Sequence, residues 1–231
     1  RKNLFLVPLD DDRQWFRYHH MFVDLLRYHL QQTYPDDVSS LNRCASLWHA
    51  EQGQSFEAIG YALEASDFEL AASLLGMAFP VLPMRGEIDT LLNWISLIPE
   101  EIANQHPNLL MMSAWGYLYR TEMNALERQL AKVIQALNID TRAELFWPNQ
   151  PSDEVADYYG QVYALRVFVA AYQNNPQKAI QLGTFALRRL HDGSLAGRSA
   201  LLAALGDAYR DIGDFENAVA ISKLTLCSIH L

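Results

Sequence analysis

From Asp36 onward, apolar positions recur at spacings of three and four between short breakers, and hardly any segment alternates apolar with polar residues as a half-buried strand would. The pattern predicts an all-α fold. Asp37 or Ser39 is placed to cap a helix through Ala50 that Gly53 ends, Ser55 to cap the next, and Asp67 to cap a third that Pro80, Pro83 and Gly86 disturb in turn. The first residues differ. Leu4, Leu6 and Val7 lead into Pro8, an acidic turn Asp10, Asp11, Asp12 follows, and Trp15, Phe16 and Tyr18 form a returning strand, giving a hairpin of the shape of a wing. Behind it Phe22, Leu25, Leu26, His29 and Leu30 recur as a helix burying one stripe, which Pro35 stops.

The clearest internal repeat is the last. Leu202, Leu205, Gly206, Tyr209 and Ala218 stand at the offsets of the tetratricopeptide signature, where small Gly and Ala let two antiparallel helices approach, and Gly213-Asp214 is the turn between them. Two weaker copies precede it. Gly116 and Tyr119 lead into a second helix from about Asn124; Tyr163 and Ala170 lead to Pro176 and a second helix with Ala179 and Ala186. Such hairpins bury their faces only by stacking, so a curved solenoid with a concave binding side is expected. One face of each first helix lines that side, and the register selects Tyr117 and Arg120, Gln161 and Phe168, Asp207 and Arg210 as ligand-binding candidates. Rings beside fixed donors suit a sugar, a nucleotide or a peptide; each residue taken singly also fits a solvated face with ion pairs between repeats. Between the first two copies, Thr141 to Asp153 (TRAELFWPNQPSD) breaks the helical period and leaves Phe146 and Trp147 on a loop, where they are expected to tuck between hairpins rather than act as a lid.

Charge and composition narrow the functions. The 231 residues are 50% apolar and 19% charged, an ordinary balance for a globular chain, and the formal charge of -9 disfavours a phosphate-binding surface for nucleic acid. Five basic and four acidic residues up to Thr33 leave -10 on the remainder, spread along the helices. Cys44 and Cys227 match neither a zinc spacing nor a disulfide framework and are expected to be buried thiols in a reducing compartment. The strongly apolar run Ala71 to Met84 has fourteen residues and two prolines, too short to span a bilayer, and no signal peptide precedes Asn3, so a cytoplasmic location is expected.

Chemistry-bearing motifs are sparse. His20 and Asp24 lie one helical turn apart, but no third ligand recurs nearby and HExxH is absent. Neither GxSxG nor a phosphate loop GxxxxGK[ST] nor GxGxxG occurs, and Glu100-Glu101 after Pro99 suits a helix start better than a carboxylate pair. No catalytic role, no metal and no cofactor are assigned to the chain itself.

The string WFRYHHMFVDLLR behind the NLFLVPLDDD hairpin resembles the end of the winged-helix domain in the ATP-dependent LuxR-type transcription regulators of the maltose-regulator family. Leu41 to Leu75 is similar to the helical hairpins that follow it there, and Leu91 to Ile102 (LLNWISLIPEEI) to the next recurring stretch, so the likeness covers about the first half; beyond Asn104 it is to helical repeats in general. The resemblance implies an architecture of nucleotide-binding domain, winged helix, superhelical sensor and DNA-binding tail, of which this chain would hold the middle. It divides the chain into a winged-helix end at 1–34, helical hairpins at 35–140, a linker at 141–153 and tetratricopeptide-like repeats at 154–231. It also places His19, in Tyr18-His19-His20, on the family's histidine that contacts the β-phosphate of ADP held in the nucleotide-binding domain; His20 stands where the family has Asp. The implied partners are a small-molecule inducer or regulatory protein and the nucleotide-binding domain, with self-association on activation, and DNA reached only through the tail. A plain helical-repeat adaptor that binds a protein partner, with no nucleotide or DNA role, explains the residues after Asn104 equally well.

Overall fold

A computed structural model describes residues 5–8, 16–78, 87–139, 145–190 and 195–229. Among these residues a two-stranded antiparallel sheet and twelve helices form two compact units, Arg1–Ala78 and Phe79–Leu231. The division falls inside the segment 35–140.

In the first unit β1 (Leu6–Pro8) pairs with β2 (Phe16–Tyr18) in the register Leu6 to Tyr18 and Val7 to Arg17. The expected hairpin is present; Leu4, its acidic turn and Trp15 lie outside the described residues. Phe5 and Tyr18 set their rings against Phe22, at 4.6 and 5.4 Å, which ties the hairpin to α1 (His20–Thr33). The stripe predicted to be buried on α1 is not: no residue of this helix is buried, and Met21 and Leu25 are 69% and 59% exposed. Periodicity reports that a helix has an apolar face, not that a partner covers it. Pro35 ends α1 and also opens α2 (Pro35–Glu51) as its first residue, a position where its missing N–H costs nothing. Asp37 and Ser39 therefore sit inside α2 rather than capping it. Ser55 likewise begins α3 (Ser55–Glu64), with Gln54 in the cap position. Asp67 caps α4 (Phe68–Ala78) as expected, accepting the Leu70 N–H at 3.2 Å. Ala58, Ile59, Ala62, Ala71, Ala72 and Leu75 make a close-packed seam between these helices. Ser46 is the buried polar residue on α2, its hydroxyl donating to the Ala58 carbonyl at 2.7 Å. Cys44, two residues away and so about 200° around the helix, is exposed rather than buried; the Cys227 side chain, like Pro80, Pro83 and Gly86, lies outside the described residues.

The second unit is a stack of helical hairpins. After α5 (Ile88–Leu97) and α6 (Glu100–Ala103), α7 (Pro107–Tyr119) pairs with α8 (Met123–Ala136), α9 (Asp153–Tyr172) with α10 (Pro176–Leu187), and α11 (Leu195–Asp211) with α12 (Phe215–Ile229). Each first helix touches the next one, α7 to α9 and α9 to α11, as the repeat reading requires. The turns share one construction. At Gly53, Ser66, Thr121, Asn138, Asn174 and Gly213 the chain enters the left-handed region, and the following N–H reaches back five residues, as from Glu122 to the Tyr117 carbonyl at 2.9 Å. Glycine provides this at only two of the six. Close approach uses other glycines: a Cβ on Gly183 would lie 2.5 Å from Leu205 Cγ, and one on Gly116 2.8 Å from Leu92 Cδ2. Gly206, predicted to permit such an approach, would place its Cβ at an ordinary 3.7 Å from Ile221, so this seam does not require it. Among the described residues two cores stand out in this unit. One surrounds Leu110, Leu126, Val133 and Leu165, the other Tyr159, Tyr163, Leu182 and Leu201. Phe146 and Trp147 pack on the second, and the Tyr163 hydroxyl accepts the Phe146 N–H at 2.9 Å while donating to its carbonyl at 2.8 Å. That loop is pinned between hairpins, as expected.

Candidate functional site: a groove on the first helices and a basic cleft at the hairpin

Three helices of the second unit present stripes to one concavity. Trp115, Leu118 and Tyr119 come from α7, Gln161 and Phe168 from α9, and Ala196, Ala200 and Ala203 from α11, around a volume of about 440 Å³. The spacings are those of one helical face, i, i+3 or i+4, and i+7. The Trp115 ring meets Phe168 edge-on at 6.4 Å and Tyr119 at 6.5 Å, an aromatic floor opposite an alanine wall. A second concavity of about 340 Å³ shares Gln161 and is lined further by Asn108, Met111, Asp153, Glu154, Asp157 and Tyr158. Burial raises the Tyr158 phenol above its ordinary value, and the charges of Glu154 and Asp157 push it in the same direction.

A chain of hydrogen bonds joins the three helices at the meeting of the two concavities. The Trp115 indole N–H donates to Gln161 Oε1 at 3.0 Å, Gln161 Nε2 donates to Asp157 Oδ2 at 3.0 Å, and the Gly197 N–H donates to Asp157 Oδ1 at 2.7 Å. Asp157 thus caps the first turn of α11 from a neighbouring helix, an acidic group where the N–H ends of a helix favour one. Local signals place α9 itself. Ser152 Oγ accepts the Val155 N–H and Asp153 and Glu154 occupy the first turn.

Of the six groove residues selected from the sequence, Gln161 and Phe168 line the concavity. Tyr117 instead packs on the core around Leu110 and Leu126, because the groove-facing stripe of α7 runs through 108, 111, 115 and 118. Arg120 is held in ion pairs with Asp89 at 3.1 Å and Glu122 at 2.7 Å. Asp207 and Arg210 continue the stripe of Ala196, Ala200 and Ala203 one and two turns further along α11, past the concavity, and pair with each other. Sequence reasoning missed Trp115, Leu118, Tyr119, Asp157 and the three alanines. The spacing of the α7 aromatics was a usable signal; alanines as a wall, and Asp157 as a cap for another helix, had none.

In the first unit His19 lies at the junction of β2 and α1. Its backbone N–H donates to the Phe5 carbonyl at 2.8 Å and its carbonyl receives the Phe22 and Val23 N–H groups, but its side chain makes no capping hydrogen bond. The half-buried ring stands 4.3 Å from that of His20 and lines a cleft of about 520 Å³ with Arg17, His20, Asp24 and Arg27 among its walls. No group of three His, Cys, Asp or Glu able to hold a metal occurs among the described residues, and no helix there is long and apolar enough to cross a membrane.

Fold and site together define a class: stacked helical hairpins presenting a groove, preceded by a hairpin and helix carrying a basic cleft. The MalT winged helix domain model matches residues 1–38. The transcriptional regulator MalT of Vibrio cholerae is 28% identical over 229 residues, which are 97% of this chain and 24% of that protein; MalT of Vibrio parahaemolyticus is 26% identical over 225 residues, again 97% and 24%. The serine/threonine-protein kinase PknK of Mycobacterium tuberculosis is 30% identical over 213 residues, 88% of this chain and 18% of that protein. The chain is thus similar to MalT-named regulators over nearly all of its own length, and it spans about a quarter of the length of the Vibrio relatives it matches.

Proposed function

We propose that this chain is the signal-sensing and regulatory segment of an ATP-dependent LuxR-type transcription regulator. It binds an inducer in the groove of α7, α9 and α11 and couples that event to nucleotide-controlled activation. The observation that carries this reading is the groove itself, an aromatic floor and an oriented carboxamide held across three successive hairpins. The relatives add support: a similar segment stands in proteins named as transcriptional regulators, and also in one named as a serine/threonine-protein kinase. Catalysis is no part of the role. DNA is reached through a separate domain, and activation favours self-association.

The basic cleft supplies the second half of the reading. His19, with Arg17 and Arg27 on the same walls, offers charge-assisted donors to the β-phosphate of ADP held by a nucleotide-binding domain, which keeps the domains closed until exchange releases them. Inducer leverage then equals its affinity difference between closed and open forms.

A thermal-shift screen of this chain against metabolites, run in parallel on Phe168→Ala, tests the sensor role: a small molecule should stabilise the native chain and not the variant. Stabilisation by peptides alone would favour the adaptor. ADP retention in the full-length protein tests the latch, since His19→Ala should lose nucleotide; unchanged retention removes it.

A further inference from the structure

Resting on the groove reading above, we propose that Gln161 is its specificity-determining residue, selecting a non-anionic ligand that carries a donor and an acceptor on neighbouring atoms, as an amide does. The carboxamide has a single satisfied orientation. Trp115 has only an N–H to offer, so Oε1 must face it; the Asp157 carboxylate only accepts, so Nε2 must face that. Each of these bonds uses one lone pair or one hydrogen. A carboxamide has two of each, so one acceptor site and one N–H remain for a ligand, and no other described residue takes them. Rotating the group to suit a different ligand would break both existing bonds.

Gln161 lines both concavities, so a ligand in the space between the aromatic floor and the acidic end lies beside its carboxamide. A flat ligand on Trp115 and Phe168 meets that group at its edge. Asp153, Glu154 and Asp157 line the adjoining space and, among the described residues, no Lys or Arg lines either concavity, so a carboxylate or phosphate there would face like charge. Of the sugar, nucleotide and peptide classes open at the sequence level, nucleotides are thereby disfavoured. Asp157 also caps α11, so a ligand that draws on the Gln161 carboxamide pulls on the contact that seats α11 against α9.

Three fragments of nearly one shape test the selection: indole-3-acetamide, its N,N-dimethylamide, which keeps the acceptor and lacks the donor, and indole-3-acetate, the anion. Titrations followed by NMR on the chain should give the primary amide at least about tenfold tighter binding than either of the others, the effect of one well-placed hydrogen bond to a fixed partner. Gln161→Met should abolish the preference for the primary amide over the dimethylamide and leave the anion disfavoured by the neighbouring carboxylates, whereas Phe168→Ala should weaken the fragments together and leave their ratio intact. Equal binding of the primary amide and the dimethylamide in the native protein, or a preference between them that survives Gln161→Met, overturns the inference while the groove reading stands. No binding by any fragment, with the Trp115 indole resonance unmoved, removes both.

Discussion

Replacing Gly197 by alanine should loosen the α9–α11 seam that carries the groove. An ideal Cβ at this position lies 2.5 Å from the Asp157 carbonyl oxygen and 3.1 Å from Gly160 Cα. Both are backbone atoms, so no side chain can turn aside, and reaching an ordinary C···O contact of about 3.3 Å means parting the helices by roughly 0.8 Å. Overpacking of this kind costs about 1–3 kcal/mol. The Gly197 N–H bond to Asp157, at 2.7 Å, lengthens with it, and hydrogen bonds to charged groups contribute about 1.5–3 kcal/mol. Alanine returns about 1 kcal/mol of helix propensity. The net loss is then about 2 kcal/mol, or roughly 4–8 °C for a unit of this size. Calorimetry on native and variant protein measures it. Gly60→Ala is the control: nothing lies within 4 Å of its Cβ in the interior of α3, so that variant should gain about 0.5–1 kcal/mol. A Gly197→Ala protein melting at or above the native chain would show that α9 and α11 are not in the contact described.

Thr121→Gly should raise stability by about 1 kcal/mol in denaturant titration, because a β-branched residue sits there at φ 60° and glycine removes that strain. Tyr163→Phe should cost about 1–2 kcal/mol and speed proteolysis of the loop at 145–152, since the Phe146 N–H loses its acceptor. Asn217 hydrogen bonds hold the Asp214 carboxyl below its ordinary 3.8, so its contribution is present above that value and is lost as pH falls through the lowered one; amide protection in the first turn of α12, measured against the free-peptide exchange rate at each pH, should fall below about pH 4, and much less so in Asp214→Asn.

Element type was legible wherever a periodic run met a breaker: Gly53, Pro35, Pro99, Pro176 and Gly213 mark ends that the structure keeps. The non-glycine turns were harder. Ser66, Thr121, Asn138 and Asn174 take the same left-handed conformation, but nothing in Ser or Thr announces it; the five-residue return bond and packing of the flanking helices impose it. Cap positions slipped for a related reason, since Pro35 can open a helix as well as close one. The groove was half legible. Gln161 and Phe168 lie seven residues apart on one face of α9 and were found; on α7 the chosen register was off the stripe through Trp115, and on α11 it was on the stripe but beyond the concavity. A stripe says which residues face together, and only the length of the neighbouring helix says where the space between them ends. The apolar face of α1 carries the same lesson, because amphipathicity names no partner.

The central claim is that successive first helices frame a ligand groove whose polar centre is tied across α7, α9 and α11. The most direct measurement is a ¹H–¹⁵N map of the chain with any small molecule that stabilises it. The account expects the Trp115 indole, the Gln161 side-chain amide and the Gly197 backbone amide to shift together, in proportion to occupancy. Stabilising ligands whose shifts fall elsewhere, with those three signals unmoved at saturation, would contradict it.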